Sequence, residues 1–159
     1  MYVAETGKYY RPHKSKTTFK EALEICRDEK STLVEFRTPQ EYQMVKQMRG
    51  EQKGKGGEIS IFMKAIFTAH VNEYMWVGMT VKDSNTRCNS PSNCLDKMTW
   101  LSDDTPYNVQ VTNDWFGVND GDYCVGFNGG TQYNGVNDLD CARLTYFACE
   151  FSCNQGKSK

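Results

Sequence analysis

From Met98 to Ala142 the chain contains no lysine or arginine but seven aspartates: Asp103, Asp104, Asp114, Asp120, Asp122, Asp138 and Asp140. Any fold of this sequence has to dispose of those carboxylates. Without a local cation they either spread into water or gather around a bound metal. They are interleaved with Asn108, Asn113, Asn119, Asn128, Asn134, Asn137 and six glycines, a turn-forming composition that places oxygen donors on irregular backbone. Oxygen-only donors of this kind suit Ca2+, which takes roughly six to eight oxygens in flexible geometry. Mg2+ demands a stricter octahedron, and zinc prefers Cys or His. The segment Asp114 to Asp122 lacks the ligand alternation and closing Glu of an EF-hand. Composition alone reads equally well as an acidic, solvated surface.

The whole chain has a formal charge of only −1, so setting aside the seven aspartates leaves +6 on the remainder. No broad cationic field results, which argues against nucleic acid or an anionic membrane as partner. The 159 residues predict one domain, with a core over about 8–151 and a short tail at 152–159. The longest apolar run, Ile59 to Phe67, includes Ser60 and Lys64 and falls well short of the roughly 20 residues of a membrane-spanning helix. Met1 to Lys8 lacks the apolar core and cleavage site of a signal peptide, leaving a mature or excised domain, or a cytosolic chain. The cysteines favour the former. Six of the seven fall after residue 87, none lies in a C-x-x-C pair, and only His13 and His70 are available to help ligate zinc. Disulfides in an oxidising compartment account for them better, which predicts a secreted or extracellular protein, either by itself or as the ectodomain of a larger one.

The amino-terminal half reads as two helices. Thr18-Phe19-Lys20-Glu21 is a capping box, and Phe19, Ala22, Leu23 and Cys26 then recur on one face, predicting a helix from about Thr18 to Glu29. Thr38-Pro39-Gln40-Glu41 repeats that start, with Tyr42, Val45 and Met48 at helical spacing until Gly50. Thr32 to Phe36 reads as a short extended segment and Lys53 to Gly57 as a flexible basic loop. Beyond Tyr74 short β-type runs take over at Tyr74–Val81, Lys97–Leu101, Tyr123–Phe127 and Leu144–Phe151, so the class is α+β. Ser102 to Asp122 has no periodicity. Long loops of that kind are functional or disordered, and Tyr107, Trp115 and Phe116 argue against disorder.

Taken in order, FKEALEICRDEKSTLVEF at Phe19–Phe36, MWVGM at Met75–Met79, MTWLSDDTPYN at Met98–Asn108, DYC at Asp122–Cys124 and NDLDCARLTYFACE at Asn137–Glu150 resemble a C-type lectin-like domain across nearly the whole chain. The resemblance implies two helices, two small antiparallel sheets and a long irregular ligand-binding loop region. It also implies disulfides joining Cys26 to Cys149 and Cys124 to Cys141. Cys88 and Cys94, in RCNSPSNC, would close a short loop of their own. Cys153 is left over, either for a disulfide-linked partner or as a free thiol.

In that family a principal Ca2+ site gathers a Glu-Pro-Asn or Gln-Pro-Asp loop, an acid two residues before the third conserved Cys, and an Asn-Asp pair, and sugar hydroxyls bind on the metal itself. The matching positions here are Asp122, Asn137 and Asp138. The proline triplet is missing, with Asn119 and Asp120 of GVND the nearest substitutes, so sugar class is not specified. Val136 replaces the usual Trp before Asn-Asp, and Tyr123 replaces the acid of an auxiliary calcium site, which implies that this second site is lost.

The reading that follows is a calcium-dependent carbohydrate-binding lectin domain. Its metal would be held by Asn119, Asp120, Asp122, Asn137 and Asp138, with a glycan or glycoprotein as partner. The alternative is a calcium-independent lectin-like module for protein recognition, for which Tyr107, Trp115, Phe116 and Tyr133 supply interface-type aromatics. An enzyme is not expected. His13 and His70 lie far in sequence from any nucleophile-like constellation, and Asp103 and Asp104 read as a turn after Trp100.

Overall fold

A computed structural model describes residues 2–3, 7–48, 74–82, 98–106, 115–117, 124–129 and 134–152. In chain order the elements are β1 (Tyr2–Val3), β2 (Lys8–Thr17), α1 (Phe19–Asp28), β3 (Thr32–Leu33), α2 (Pro39–Met48) and β4 (Tyr74–Val81), then β5 (Met98–Trp100), β6 (Trp115–Gly117), β7 (Cys124–Gly129), β8 (Asn134–Leu139) and β9 (Thr145–Ser152). The architecture is α+β, as expected.

Helix α1 starts where its capping box requires. The Glu21 amide donates to Thr18 Oγ1 at 3.3 Å and the Thr18 amide donates to Glu21 Oε2 at 2.9 Å, satisfying two amides that lack partners inside the helix. Beyond the helix Lys30 takes a left-handed φ of 58°, and the Ser31 amide closes the turn on the Cys26 carbonyl at 2.8 Å. At α2, Thr38 Oγ1 accepts from the Glu41 amide at 3.1 Å, and Pro39 occupies the first helical position, where no N–H is needed.

The strands form one hydrogen-bonded network in the order β1-β2-β9-β4-β7-β8-β6, with β3 added to β9 and β5 to β4. The two separate antiparallel sheets expected from the resemblance are thus joined. The joint is a parallel pairing of Met75 with Tyr146 and Trp76 with Phe147, and a second parallel pair links β6 to β8.

Strand β4 divides the core by its two-residue period. Met75, Val77, Met79 and Val81 enter one cluster with Phe36, Tyr42 and Val45 beside α2, while Trp76 enters the other with Phe19, Ala22 and Cys26 of α1. Val136, standing where a Trp was expected from the resemblance, is fully buried in the first cluster with Val125 and Phe127. The anchor survives in smaller form.

Four strands, β1, β2, β6 and β8, fall outside the β-type runs read from the sequence, and the two longer ones, β2 and β8, show why. Strand β2, KYYRPHKSKT, has one buried side chain, Tyr10, and a proline, so its periodicity is faint. It is held by pairing with β9 from Lys8↔Ser152 to His13↔Phe147. Strand β8, NGVNDL, is built of turn formers and is extended because β7 pairs with it over six residues. Tertiary pairing overrides local preference in both.

The disulfide Cys26–Cys149 ties α1 to β9 with a Cα–Cα distance of 5.4 Å, and Cys124–Cys141 ties β7 to the turn after β8 with 5.2 Å. Both pairings agree with those the resemblance implied. Cys88, Cys94 and Cys153, and the loop at Lys53–Gly57, lie outside the described residues.

Gly78 is required where β4 passes β3. A Cβ there would come within 3.0 Å of both Glu35 Cγ and the Leu33 carbonyl oxygen, and neither can retreat cheaply: one is backbone and the other belongs to a clamped side chain. We therefore expect Gly78→Ala to lower unfolding free energy by about 1–3 kcal/mol. Urea denaturation followed by tryptophan fluorescence measures it, and an unchanged midpoint would show that the gap between β4 and β3 is looser than described.

Candidate ligand-binding face

Two of the five sequence-predicted metal residues lie on β8. Asn137 is half-buried opposite Gly126 of β7, and its Nδ2 donates to the Tyr74 hydroxyl oxygen at 3.4 Å. Asp138 is 2% exposed opposite Val125. Neighbours in a strand leave opposite faces, so Asn137 shares a face with Tyr74 and Leu139, and Asp138 shares one with Val136. Asn119, Asp120 and Asp122 lie outside the described residues, as do Asp114, Tyr107 and Tyr133.

The described elements on either side of those positions pair with β8. Gly117, the last residue of β6, is paired with Asn137 on the outer edge of β8, and Asn119 follows it by two positions. On the other side, Cys124 opens β7 opposite Leu139, and Asp122 precedes it by two positions. Below β8 the chain makes a tight turn. Asp140 Oδ1 accepts from the Ala142 amide at 2.9 Å, the Arg143 amide donates to the Asp140 carbonyl at 2.9 Å, and the Cys124–Cys141 disulfide pins the turn to β7. The Arg143 guanidinium carbon then sits 5.3 Å from the centre of the Tyr74 ring.

The family model described as the lectin C-type domain matches residues 15–151. The chain belongs to the C-type lectin domain family. Among solved structures, the carbohydrate-recognition domain of the mouse scavenger receptor C-type lectin is 22% identical, with a TM-score of 0.56 over 92% of this chain and 91% of that one. The C-type lectin domain of murine dendritic cell inhibitory receptor 2, in complex with an N-glycan, is 17% identical with a TM-score of 0.59 over 92% of each. SPL-2 from Saxidomus purpuratus, a Ca2+-independent C-type lectin, is 15% identical with a TM-score of 0.60 over 94% of this chain and 89% of that one. At these identities the likeness speaks to the fold. No curated protein matches the chain. The C-type lectin domain is a non-enzymatic recognition fold, so the chain is a recognition module and not a catalyst.

This C-type lectin domain also contains a charge cluster that local reading of the sequence missed. The aspartates of the cation-free stretch are not all left without a cation. Arg37, 66 positions before Asp103, donates to it from Nη1 and Nη2 at 2.8 Å each. The same guanidinium donates to Glu35 Oε2 from Nε at 2.9 Å and from Nη2 at 2.7 Å. Asp103 accordingly shapes the turn after Trp100, as expected, while its carboxyl is held well below the usual range by Arg37 first and Thr105 second.

Behind this pair, Lys8 Nζ bridges Glu41 and Glu150 at 3.0 Å each, and the Glu35 amide donates to Glu150 Oε2 at 2.9 Å. Burial pushes the Glu150 carboxyl up to about 7, with Lys8 and the Glu35 amide pulling the other way. Burial also opposes the charge on Lys8, but Glu150 and Glu41 outweigh it and hold the amine above its ordinary value.

His13 has a structural place. Its Nε2 lies 3.4 Å from Glu29 Oε1 and 3.6 Å from Cys149 Sγ, and its ring stacks on Phe147 at 4.4 Å. Cys149 is committed to its disulfide, so this group offers no thiolate to a zinc ion.

Glu150 yields a pH dependence of known sign. Its folded-state pKa of about 7 lies above the ordinary 4.5, so the folded state binds the proton more tightly. The stability it contributes is fully present below 4.5 and is lost as pH rises through 7. Thermal midpoints should therefore fall between pH 5 and pH 8, and Glu150→Gln should flatten that slope. A wild-type midpoint that climbs with pH across the window contradicts the assignment.

Proposed function

We propose that this C-type lectin domain works outside the cell as a calcium-dependent glycan-binding module. Asp122, Asn137 and Asp138, together with Asn119 or Asp120, would hold the ion. The five candidates, three carboxylates and two carboxamides, offer oxygen donors only, which fits Ca2+ and fits zinc poorly. The bound ion would supply open coordination positions for a pair of sugar hydroxyls.

The observation that carries the reading is the register of the three strands. Pairing of Gly117 with Asn137, and of Cys124 with Leu139, makes β6 and β7 flank β8 at the level of Asn137 and Asp138, with the remaining candidate ligands close in sequence to both flanking ends. C-type lectin domains are typically extracellular, and the two disulfides fit an oxidising compartment. Among the described residues no helix is long and apolar enough to cross a membrane. Of the structural neighbours, the dendritic-cell receptor domain is in complex with an N-glycan and SPL-2 is a Ca2+-independent C-type lectin, so the fold accommodates a bound glycan and also a lectin that works without calcium.

Calorimetric titration of the chelated protein with CaCl2 should give binding that Asp138→Ala abolishes while circular dichroism stays native. Saturating calcium should also raise the melting temperature, since at about 100 times Kd a ligand of the folded state adds about 2.7 kcal/mol. Unchanged heats in Asp138→Ala would remove this ligand set. Indifference of both stability and glycan binding to EDTA would leave the calcium-independent protein-recognition module as the better reading.

A further inference from the structure

Arg143 is the first cation after the cation-free stretch, and its position is unusual. Among the described residues the other arginines stand against carboxylates: Arg11 with Glu29, Arg27 with Asp28, and Arg37 with Glu35 and Asp103. Arg143 is exposed and has no carboxylate among the described residues, although Asp140 is only three positions away. The Asp140 side chain turns instead to the Ala142 amide, and the Asp140 carbonyl takes the Arg143 amide. The guanidinium lies over the Tyr74 ring, 5.3 Å from its centre, an arrangement that steadies the side chain without using its in-plane N–H donors. Tyr74 in turn accepts at its hydroxyl from Asn137 Nδ2, which leaves the Asn137 Oδ1 lone pairs outside that bond.

We propose that Arg143, positioned by Tyr74, forms an anion-accepting subsite beside Asn137 that selects glycans bearing a carboxylate or sulfate. The inference rests on the glycan-binding reading above and names the ligand class of the same face. The guanidinium of exposed Arg143, which meets no carboxylate among the described residues, has N–H donors that match the paired oxygens of a carboxylate or sulfate. The surrounding acidic stretch would otherwise repel such a ligand, so the preference has to come from this residue. Tyr74 acts here as a positioning residue.

A printed array of matched glycans, each neutral sugar beside its sulfated or uronic-acid counterpart, tests the subsite in CaCl2 and again in EDTA. Galactose with galactose 6-sulfate and glucose with glucuronic acid are the simplest pairs. The wild-type protein should favour the acidic member roughly three- to tenfold. Arg143→Gln should bring the pairs to parity, whereas Arg143→Lys should keep part of the preference. Tyr74→Phe keeps the stacked ring but drops the bond to Asn137, so it should weaken both members of a pair and leave their ratio unchanged. Equal binding by the wild type, a preference for neutral sugars, no binding to either member, or an acid preference that survives in Arg143→Gln would each overturn the subsite. Calcium titration of the wild type reports separately on the underlying reading: calcium heat with equal pairs removes the anion subsite alone. An acid preference lost in Arg143→Gln supports the subsite in either buffer.

Discussion

The parallel contact between β4 and β9 is the joint on which the rest hangs. Only two residue pairs make it, Met75 with Tyr146 and Trp76 with Phe147, yet it unites the strands that carry the termini with the strands that carry the candidate ligands. A parallel pair needs a long connection between its strands, and here the connection includes β7, β8 and the acidic segments around them. The described strands from β5 to β8 are consequently an excursion from a closed base. The disulfide at Cys26–Cys149 fastens α1 to that same base. A large, polar, weakly periodic segment is tolerated because its ends are held by apolar packing around Trp76 and Phe147, both fully buried.

Electrostatics follows the same division. On the base, acids meet cations across the fold: Lys8 spans Glu41 and Glu150, and Arg37 joins its near neighbour Glu35 to the exposed Asp103, 66 positions away. These four carboxylates and two cations come from β2, the segment after β3, α2, the turn after β5, and β9, so the network registers all of those elements against one another. Such a network is better evidence of specificity than of stability, since burial sets a desolvation cost against Glu35, Glu41 and Glu150. On the β7–β8 face the balance differs. Exposed Arg143 leans on an aromatic ring and meets no carboxylate among the described residues, and Asn137 and Asp138 sit beside one another on a strand paired on both edges.

Helix boundaries were legible because the capping signals are local. Thr18 and Glu21, or Thr38 and Pro39, act within one turn of chain, and the helices begin within a residue of where those signals put them. The apolar strand β4 was equally plain, its eight residues matching the predicted run. Strand β2 escaped because nine of its ten side chains are not buried, and β8 escaped because Asn, Gly and Asp read as turn. The fate of Asp103 also escaped. Counting charges along the chain misses a guanidinium that arrives from 66 positions away.

For the candidate site, residue types along the chain supplied the chemistry: oxygen donors, no competing cation, and an ordered set of landmarks sufficient to imply family and disulfide pairing. Composition cannot say which of those donors share a face, because that depends on strand register, and a shift of one residue reverses it. The pairing of Gly126 and Gly117 with Asn137 is a property of three strands together. So is the approach of Arg143 to Tyr74, 69 positions earlier in the chain. Local order and ligand chemistry were thus determined by the amino acids in sequence. Tertiary structure alone decided which charges neutralise one another and which remain outward, since Coulomb and hydrogen-bond energies depend on distance in space and not on separation along the chain.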